Sequence, residues 1–119
     1  MLEHTLRAIK GAGIDEVLVI VHYMKDEIMS YFGDGASLDL RITYAEQVDL
    51  LGTGHALKVV QPYLEGERFL LVYGDLAFNP SLLNQLLSSE QGASGAENDV
   101  GAILGVSVDD ISEYGSLTV

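Results

Sequence analysis

One aspartate follows an apolar segment of strand length. Residues 69–73 form the apolar run, and Gly74 and Asp75 come directly after it. Such a run is typical of a strand buried on both faces, as in a parallel sheet, where ligands bind at the carboxyl ends of the strands. Gly74 would let a ligand approach the backbone, and Asp75 would place a carboxylate where Mg²⁺ is held beside phosphates. The alternative interpretation is that Gly74 and Asp75 simply open a turn.

A second candidate site lies in the glycine-rich segment Gly52-Thr53-Gly54. Thr53 is a good N-cap for a helix over residues 54–63, so these glycines form a tight loop that runs into a helix N-terminus. The N–H groups and positive dipole potential of such a loop bind an acceptor edge or an anion. Gln47 has an amide that donates and accepts side by side, so it can read a nucleobase edge. The alternative is a plain N-cap with glycines for the turn, because Gly-x-Gly is a weak motif.

The histidines and one acidic pair give weaker signals. His55 could act as an acid, a base or a ligand, but a histidine on the first turn of a helix more often packs or faces water. His4 and His22 have no metal-ligand spacing with it, so the sequence predicts no histidine metal site. Asp109 and Asp110 could bind a cation, although a solvated helix start explains this pair better.

The overall composition excludes several classes of function. The chain has 119 residues, of which 18 are acidic and 6 basic, giving a net charge of −12. Because no basic cluster exists, nucleic acid and anionic membranes are poor partners. No cysteine is present, which excludes disulfides, thiolate metal sites and cysteine nucleophiles. No apolar run approaches membrane-spanning length and the N-terminus is not a signal peptide, so we expect a cytoplasmic protein.

Helical and strand-like segments alternate along the chain. Helical periodicity predicts helices near residues 2–10, 26–32, 54–63 and 80–87, and apolar or alternating runs predict strands near residues 17–21, 38–44, 69–73, 100–108 and 116–119. Residues 88–99, rich in Ser, Gly, Glu and Asn, are expected to form a mobile surface loop. This order of elements predicts an α/β domain with a mainly parallel sheet.

The ends of the chain suggest a partial domain. The first predicted element is a helix, whereas an α/β unit normally begins with a strand near the sheet centre. Residues 116–119 resemble a strand that is just beginning. We therefore expect residues 1–119 to form part of a domain without its first central strand and its C-terminal part. Such a gap would expose unpaired ladder groups, which would favour association between copies of the chain.

Taken in order, these pieces resemble the sugar-1-phosphate nucleotidylyltransferases. The segment Leu-Gly-Thr-Gly-His-Ala-Leu at residues 51–57 and the strand end Tyr73-Gly74-Asp75 are most similar to the uridylyltransferases that act on N-acetylglucosamine 1-phosphate. The archaeal-type bifunctional sugar-phosphate nucleotidylyltransferase/acetyltransferases are especially similar. The opening segment, residues 2–6, also resembles the helix that follows the signature loop of the family. The resemblance covers nearly the whole chain and implies a three-layer α/β/α Rossmann-like nucleotidyltransferase fold.

The resemblance also implies a reaction and a nucleotide site. The reaction would join a nucleoside triphosphate, UTP or dTTP, to a sugar 1-phosphate, giving a nucleotide sugar and pyrophosphate. Carried over by position, Gln47, Gly52 and Thr53 would face the base of the nucleotide.

Four further positions follow from the same resemblance. Asp75 would be the catalytic residue that holds Mg²⁺, and Gly74 would bind the nucleotide next to it. Tyr73 would line the nucleotide-sugar site, and Gly115 matches a glycine that contacts the sugar.

The chain departs from the family pattern in the parts that hold phosphate. The first strand of the family, its Gly-x-Gly-Thr-Arg loop with the following Pro-Lys, and its later Glu-Lys segment are absent. Because these supply the cradle and the cations for the triphosphate, we expect the chain to be inactive alone and to bind nucleotide weakly. Two alternatives stay open: a non-catalytic nucleotide-binding or regulatory α/β module, and an α/β interaction domain that shares only the fold.

Overall fold

The computed structural model describes residues 1–64 and 68–92. The chain divides into two compact units, Met1–Pro80 and Ser81–Val119. In the described part of the first unit, the helices are α1 (Leu2–Gly11), α2 (Lys25–Phe32) and α3 (Thr53–Leu64), and the strands are β1 (Glu16–Val21) and β2 (Arg41–Glu46). A short 3-10 turn, Ala36–Leu38, precedes β2. In the second unit the structure describes α4 (Ser81–Gly92).

The two strands form a parallel pair. Their register runs from Glu16 opposite Arg41 to Val21 opposite Glu46, and α2 lies in the connection between them. Parallel strands need such a crossover because the chain must return to the same end of the sheet before it can pair again. This arrangement confirms the predicted α/β class with a parallel sheet, and it places the carboxyl ends of both strands at one edge.

The core of the first unit lies between α1 and the start of β2. Four side chains with at most 9% exposure form its centre: Leu6, Leu38, Leu40 and Ile42. Burying one such side chain contributes about 1.5–3 kcal/mol relative to leaving it in water, and Leu6 of α1 is the most completely buried of the four. On the solvent side of α1, Arg7 donates to Glu3 one turn earlier, so the helix presents an apolar and a charged face as predicted.

Gly35 allows the turn before β2 to pack closely against the start of that strand. Gly35 has φ +87°, and a Cβ atom there would lie 2.7 Å from both the Leu40 carbonyl oxygen and Ile42 Cγ1. The Gly35 carbonyl accepts hydrogen bonds from the N–H groups of Leu38 and Leu40. This close contact with Leu40 and the core residue Ile42 therefore requires a residue without a side chain.

Two predicted strands differ from the structure. The predicted strand over residues 38–44 begins only at Arg41, because Leu38 lies in the 3-10 turn and Asp39 has φ 55°, a left-handed conformation that interrupts an extended strand.

The predicted strand over residues 69–73 is wrong for the described residues, which have neither helix nor strand there. Phe69, Leu71 and Tyr73 are 50–55% exposed and alternate with less exposed neighbours. The alternation of a strand is present, but a strand also needs a neighbour that accepts and donates ladder hydrogen bonds. In residues 1–64 and 68–92 the two strands pair only with each other.

Helix α4 extends into the segment predicted to be a loop, as far as Gly92. Glu90 and Gln91 are good helix formers, which continue the helix beyond the apolar positions used for the prediction. The predicted strands at residues 100–108 and 116–119 lie outside the described residues. Among the helices that the structure describes, none has the length and apolarity to cross a lipid bilayer.

Candidate nucleotide-binding site

The carboxyl ends of β1 and β2 bring His22 and Gln47 together. Since Val21 pairs with Glu46, the next residue of each strand emerges at the same edge of the sheet. The Gln47 N–H donates to the Val21 carbonyl oxygen at 2.9 Å. His22 Nδ1 lies 2.7 Å from the Gln47 carbonyl oxygen and donates to it. The backbone of Gln47 is thus held on both sides at the position where ligands bind in open parallel sheets.

The side chain of Gln47 is buried and closes the following loop. Only 8% of the residue is exposed. Its Nε2 atom lies 3.2 Å from the Gly52 carbonyl oxygen and 3.1 Å from His55 Nδ1. We call His22, Gln47, Gly52 and His55 the Gln47 cluster. It joins the ends of both strands to the start of α3.

The amide oxygen of Gln47 takes no part in these contacts. In the part of the chain that the structure describes, Oε1 accepts no hydrogen bond, and no fully buried side-chain nitrogen or oxygen lacks a partner. Oε1 is therefore not completely buried. The cluster consequently presents one hydrogen-bond acceptor at the edge of the sheet, while both protons of the amide nitrogen have partners inside the loop.

Gly52 acts as the N-cap of α3. Its carbonyl oxygen accepts from the Ala56 N–H at 3.1 Å, the first hydrogen bond of the helix, and its φ of +93° is one that glycine adopts without strain. The prediction that Thr53 is the N-cap is therefore wrong by one residue, since the left-handed turn falls on Gly52 and Thr53 is already helical. Thr53 and Gly54 are exposed in the first turn, where backbone N–H groups have no partner within a helix.

Tyr73, Gly74 and Asp75 lie together in a turn. The Leu76 N–H donates to the Tyr73 carbonyl oxygen at 3.4 Å, and a Cβ atom at Gly74 would lie 3.3 Å from Leu2 Cδ1 of α1. The alternative interpretation, that Gly74 and Asp75 open a turn, describes the local conformation correctly. Within residues 1–64 and 68–92 the exposed carboxylate of Asp75 makes no hydrogen bond or ion pair.

The chemistry of Asp75 fits one kind of metal site. No cluster of three or more His, Cys, Asp or Glu side chains that could hold a metal ion occurs among the described residues. A dedicated protein cage for calcium or zinc therefore does not fit this part of the chain. A single accessible carboxylate does fit Mg²⁺, which is commonly bound by one or two carboxylates together with substrate phosphates and waters.

One ion pair lies next to the cluster. Lys25, the first residue of α2, donates to the carboxylate of Glu46 at 2.8 Å. This hydrogen bond and the negative charge of Glu46 raise the pKa of Lys25. The pair joins the start of α2 to the end of β2, so it supports the edge of the sheet from which Gln47 emerges.

The structure brings some predicted residues together and leaves others apart. Gln47 and Gly52 are directly hydrogen-bonded, Thr53 follows them, and Tyr73, Gly74 and Asp75 share the turn described above. Gly115 lies outside the described residues.

Two histidines, His22 and His55, make contacts that the sequence did not predict. His55 contacts the amide of Gln47, a partner that the sequence did not predict, and His22, which had no predicted role, contacts the Gln47 carbonyl oxygen. Their positions in the sequence could have indicated this, because His22 directly follows β1 and His55 lies in the first turn of α3.

Comparison with known proteins identifies the relatives of this chain. It is 33% identical over 100 residues to the bifunctional protein GlmU of Symbiobacterium thermophilum, covering 81% of this chain and 20% of that protein. It is 32% identical over 97 residues to the low-salt glycan biosynthesis nucleotidyltransferase Agl11 of Haloferax volcanii, covering 81% and 27%. It is 40% identical over 75 residues to a glucose-1-phosphate thymidylyltransferase of Streptomyces antibioticus, covering 63% and 21%.

Two of these relatives are named as a nucleotidyltransferase and a thymidylyltransferase, and the matched segment spans 20–27% of the length of the three proteins. The match to the family described as nucleotidyl transferase extends over residues 1–119. The strand, loop and helix that carry the Gln47 cluster lie inside that match. The chain belongs to the nucleotidyl transferase family.

Proposed function

We propose that this chain is the part of a sugar-1-phosphate nucleotidylyltransferase that reads the base and holds the metal. The complete protein would transfer a nucleotidyl group from UTP or dTTP to a sugar 1-phosphate. A phosphate oxygen of the sugar phosphate would attack the α-phosphorus, and pyrophosphate would leave with the electrons of the broken P–O bond. Family membership and the names of the relatives, which include a thymidylyltransferase, support this class of reaction.

The observation that carries the proposal is that Oε1 of Gln47 accepts no hydrogen bond among the described residues, while its amide nitrogen makes two contacts. Uracil and thymine present a ring N–H between two carbonyl groups, and this N–H needs an acceptor. Gln47 offers only an acceptor, because its amide protons are bound to Gly52 and His55. The backbone N–H groups of Thr53 and Gly54, in the first turn of α3, would donate to a neighbouring carbonyl of the same base. Cytosine and adenine present a ring acceptor at the corresponding position and would be disfavoured.

The turn at Tyr73, Gly74 and Asp75 supplies the second part of the site. Asp75 would hold Mg²⁺, which neutralises charge on the phosphates when it is bound. Gly74 would allow the nucleotide close to the backbone, and Tyr73 and Gly115 would line the sugar. The protein contributes mainly position and electrostatics to such a transfer, as in other phosphoryl transfers.

We further propose that the 119-residue chain is a partial domain and inactive alone. Four of the six basic residues, Arg7, Lys10, Lys25 and Arg41, are ion-paired with carboxylates. With a net charge of −12, little positive charge is left to hold a triphosphate. The same observation favours the second candidate function, a non-catalytic nucleotide-binding module. In either case we expect small-molecule partners in the cytoplasm, no nucleic acid or membrane, and association between copies.

The test is pyrophosphate release by the complete protein that contains this chain. We expect release with UTP or dTTP plus a sugar 1-phosphate and Mg²⁺, and little with CTP or ATP. Asp75→Asn should abolish it, while the control Asp26→Asn, at an exposed carboxylate in the first turn of α2, should not. Unchanged activity in Asp75→Asn would contradict the proposal that Asp75 holds Mg²⁺. Nucleotide binding without turnover in the unmutated protein would favour the non-catalytic module.

A further inference from the structure

We propose that His55 and His22 are positioning residues that hold the Gln47 amide in one orientation. The geometric part of this inference stands alone, and its consequence for base selection rests on the proposed function. Neither histidine is proposed to touch a substrate. Both act through Gln47: His55 contacts its side-chain amide, and His22 contacts its backbone carbonyl oxygen.

The orientation of the amide follows from Gly52. A backbone carbonyl oxygen can only accept, so the amide atom 3.2 Å from it must be the nitrogen. That nitrogen has no lone pair available to accept, so His55 Nδ1, at 3.1 Å, must be the acceptor. His55 is therefore neutral in this arrangement, with its proton on Nε2. A proton on Nδ1 would place two donors against each other.

The second histidine requires the opposite tautomer. His22 Nδ1 faces the Gln47 carbonyl oxygen at 2.7 Å, and this oxygen can only accept. His22 therefore carries a proton on Nδ1. Together with the bond from Gln47 N–H to Val21, this contact anchors the peptide groups on both sides of the Gln47 side chain. Two histidines in one small cluster thus have distinct and predictable protonation patterns.

The consequence concerns which atom of Gln47 faces a ligand. With both amide protons engaged, only Oε1 is presented, and the site selects for a ring N–H. Without the acceptor on His55, one amide proton loses its partner and the amide is held by Gly52 alone. It would then turn more readily, exposing a donor for part of the time. His55 thereby contributes to base selection without contacting the base.

The first experiment measures the tautomers in the 119-residue chain without any ligand. Histidines labelled with ¹⁵N are observed by NMR at a pH of about 8.5, where histidine is as a rule neutral. His55→Asn and His22→Asn assign the signals by their loss. We expect the proton on Nε2 in His55 and on Nδ1 in His22. A proton on Nδ1 of His55, or rapid exchange between both tautomers, would overturn the proposal.

The second experiment measures dissociation constants for UTP and CTP by calorimetry in the complete protein that contains this chain. His55→Phe keeps a ring but removes the acceptor, and we expect it to lower the preference for UTP about two- to tenfold. His55→Asn places an amide oxygen near the former Nδ1 and should restore most of it. In Gln47→Ala, the further change His55→Phe should have no effect on the preference. A loss there as large as in the unmutated chain would mean that His55 acts independently of Gln47.

The two experiments separate this inference from the proposed function. Absence of any nucleotide binding, with the expected tautomers present, would count against the proposed function and leave the positioning geometry supported. The reverse result, selective binding of UTP with the wrong tautomers, would refute the positioning role alone.

Discussion

The Nε2 atom of Gln47 lies 3.2 Å from the carbonyl oxygen of Gly52, so one buried side chain closes the loop between β2 and α3. Polar side chains are usually buried only when they are hydrogen-bonded, and here the bonded group lies between a strand end and a helix start. The loop is therefore ordered by a side chain rather than by packing, since Val48, Leu50 and Leu51 within it are 67–72% exposed.

This closure predicts that Gln47→Glu destabilises the chain. A carboxylate has nearly the same shape but no proton to donate, so it would face the Gly52 carbonyl as a second acceptor. We expect a loss of about 1–3 kcal/mol in the free energy of unfolding, measured by urea denaturation. Gln47→Met, which keeps the length without the polar group, is the matched control and should lose less. Equal stability of Gln47→Glu and the unmutated chain would show that the bond contributes nothing.

The cap of α3 gives a second prediction from two neighbouring glycines. A Cβ atom would find open space at both Gly52 and Gly54, but only Gly52 has a positive φ, of +93°. Gly52→Ala should therefore lower stability by about 1–2 kcal/mol through backbone strain. Gly54→Ala lies within the first helical turn and should be neutral or stabilise by up to about 1 kcal/mol. Thermal unfolding of both variants measures the difference, and similar losses would argue against the left-handed turn.

A steric prediction concerns Gly35 and Gly33. Both have positive φ, but a Cβ atom at Gly33 meets nothing within 4 Å, whereas at Gly35 it would lie 2.7 Å from the Leu40 carbonyl oxygen. Gly33→Ala should cost only the strain of a backbone conformation (φ 54°, ψ −133°) that is rare outside glycine, about 1–3 kcal/mol. Gly35→Ala adds a clash against backbone and core and should cost at least about 3 kcal/mol. Proteolysis under native conditions compares the two, and a tolerant Gly35→Ala would contradict the packing described here.

The last prediction concerns acid stability. Lys10 at the end of α1 donates to Asp15 at 2.6 Å and lies 3.0 Å from Asp39. The hydrogen bond from Lys10 and its charge lower the pKa of Asp15, and the hydrogen bonds to Asp15 and Asp39 raise the pKa of Lys10. A carboxylate whose pKa is lowered by folding stabilises the folded chain at pH values above its pKa in the unfolded chain, about 3.9. This contribution is lost as the pH falls through the lowered pKa. Because folding raises the pKa of Lys10, its ion pairs stabilise the folded chain at pH values below the pKa of lysine in the unfolded chain, about 10.4. This contribution is lost as the pH rises through the raised pKa.

The contribution of this ion pair should therefore be present from about pH 4 to about pH 10. Lys10→Met removes it, so the difference in the unfolding midpoint between variant and unmutated chain should shrink below about pH 4. Added salt at neutral pH should reduce the same difference, because the pair is exposed and screened. A difference that is independent of pH and salt would assign the effect of the variant to packing of the lysine stem instead.

Local patterns were sufficient for much of the fold. The spacing of Leu6 and Ile9 predicted α1, and the β-branched run of β1 predicted a strand, because helical and extended backbones bring different neighbours to one face. The alternation of these elements predicted the α/β class, and motif resemblance predicted the family. The same short segment predicted that Gln47, Gly52 and Thr53 belong to one site, and a hydrogen bond joins the first two of them.

Tertiary structure decided what depends on distant partners. An apolar alternation at Phe69, Leu71 and Tyr73 predicted a strand, but ladder hydrogen bonds come from another segment, and among the described residues none provides them. The roles of His22 and His55 follow from the parallel register, which places the ends of β1 and β2 side by side. Residue types along the chain specify which groups can donate or accept, whereas only the folded chain determines which of them meet.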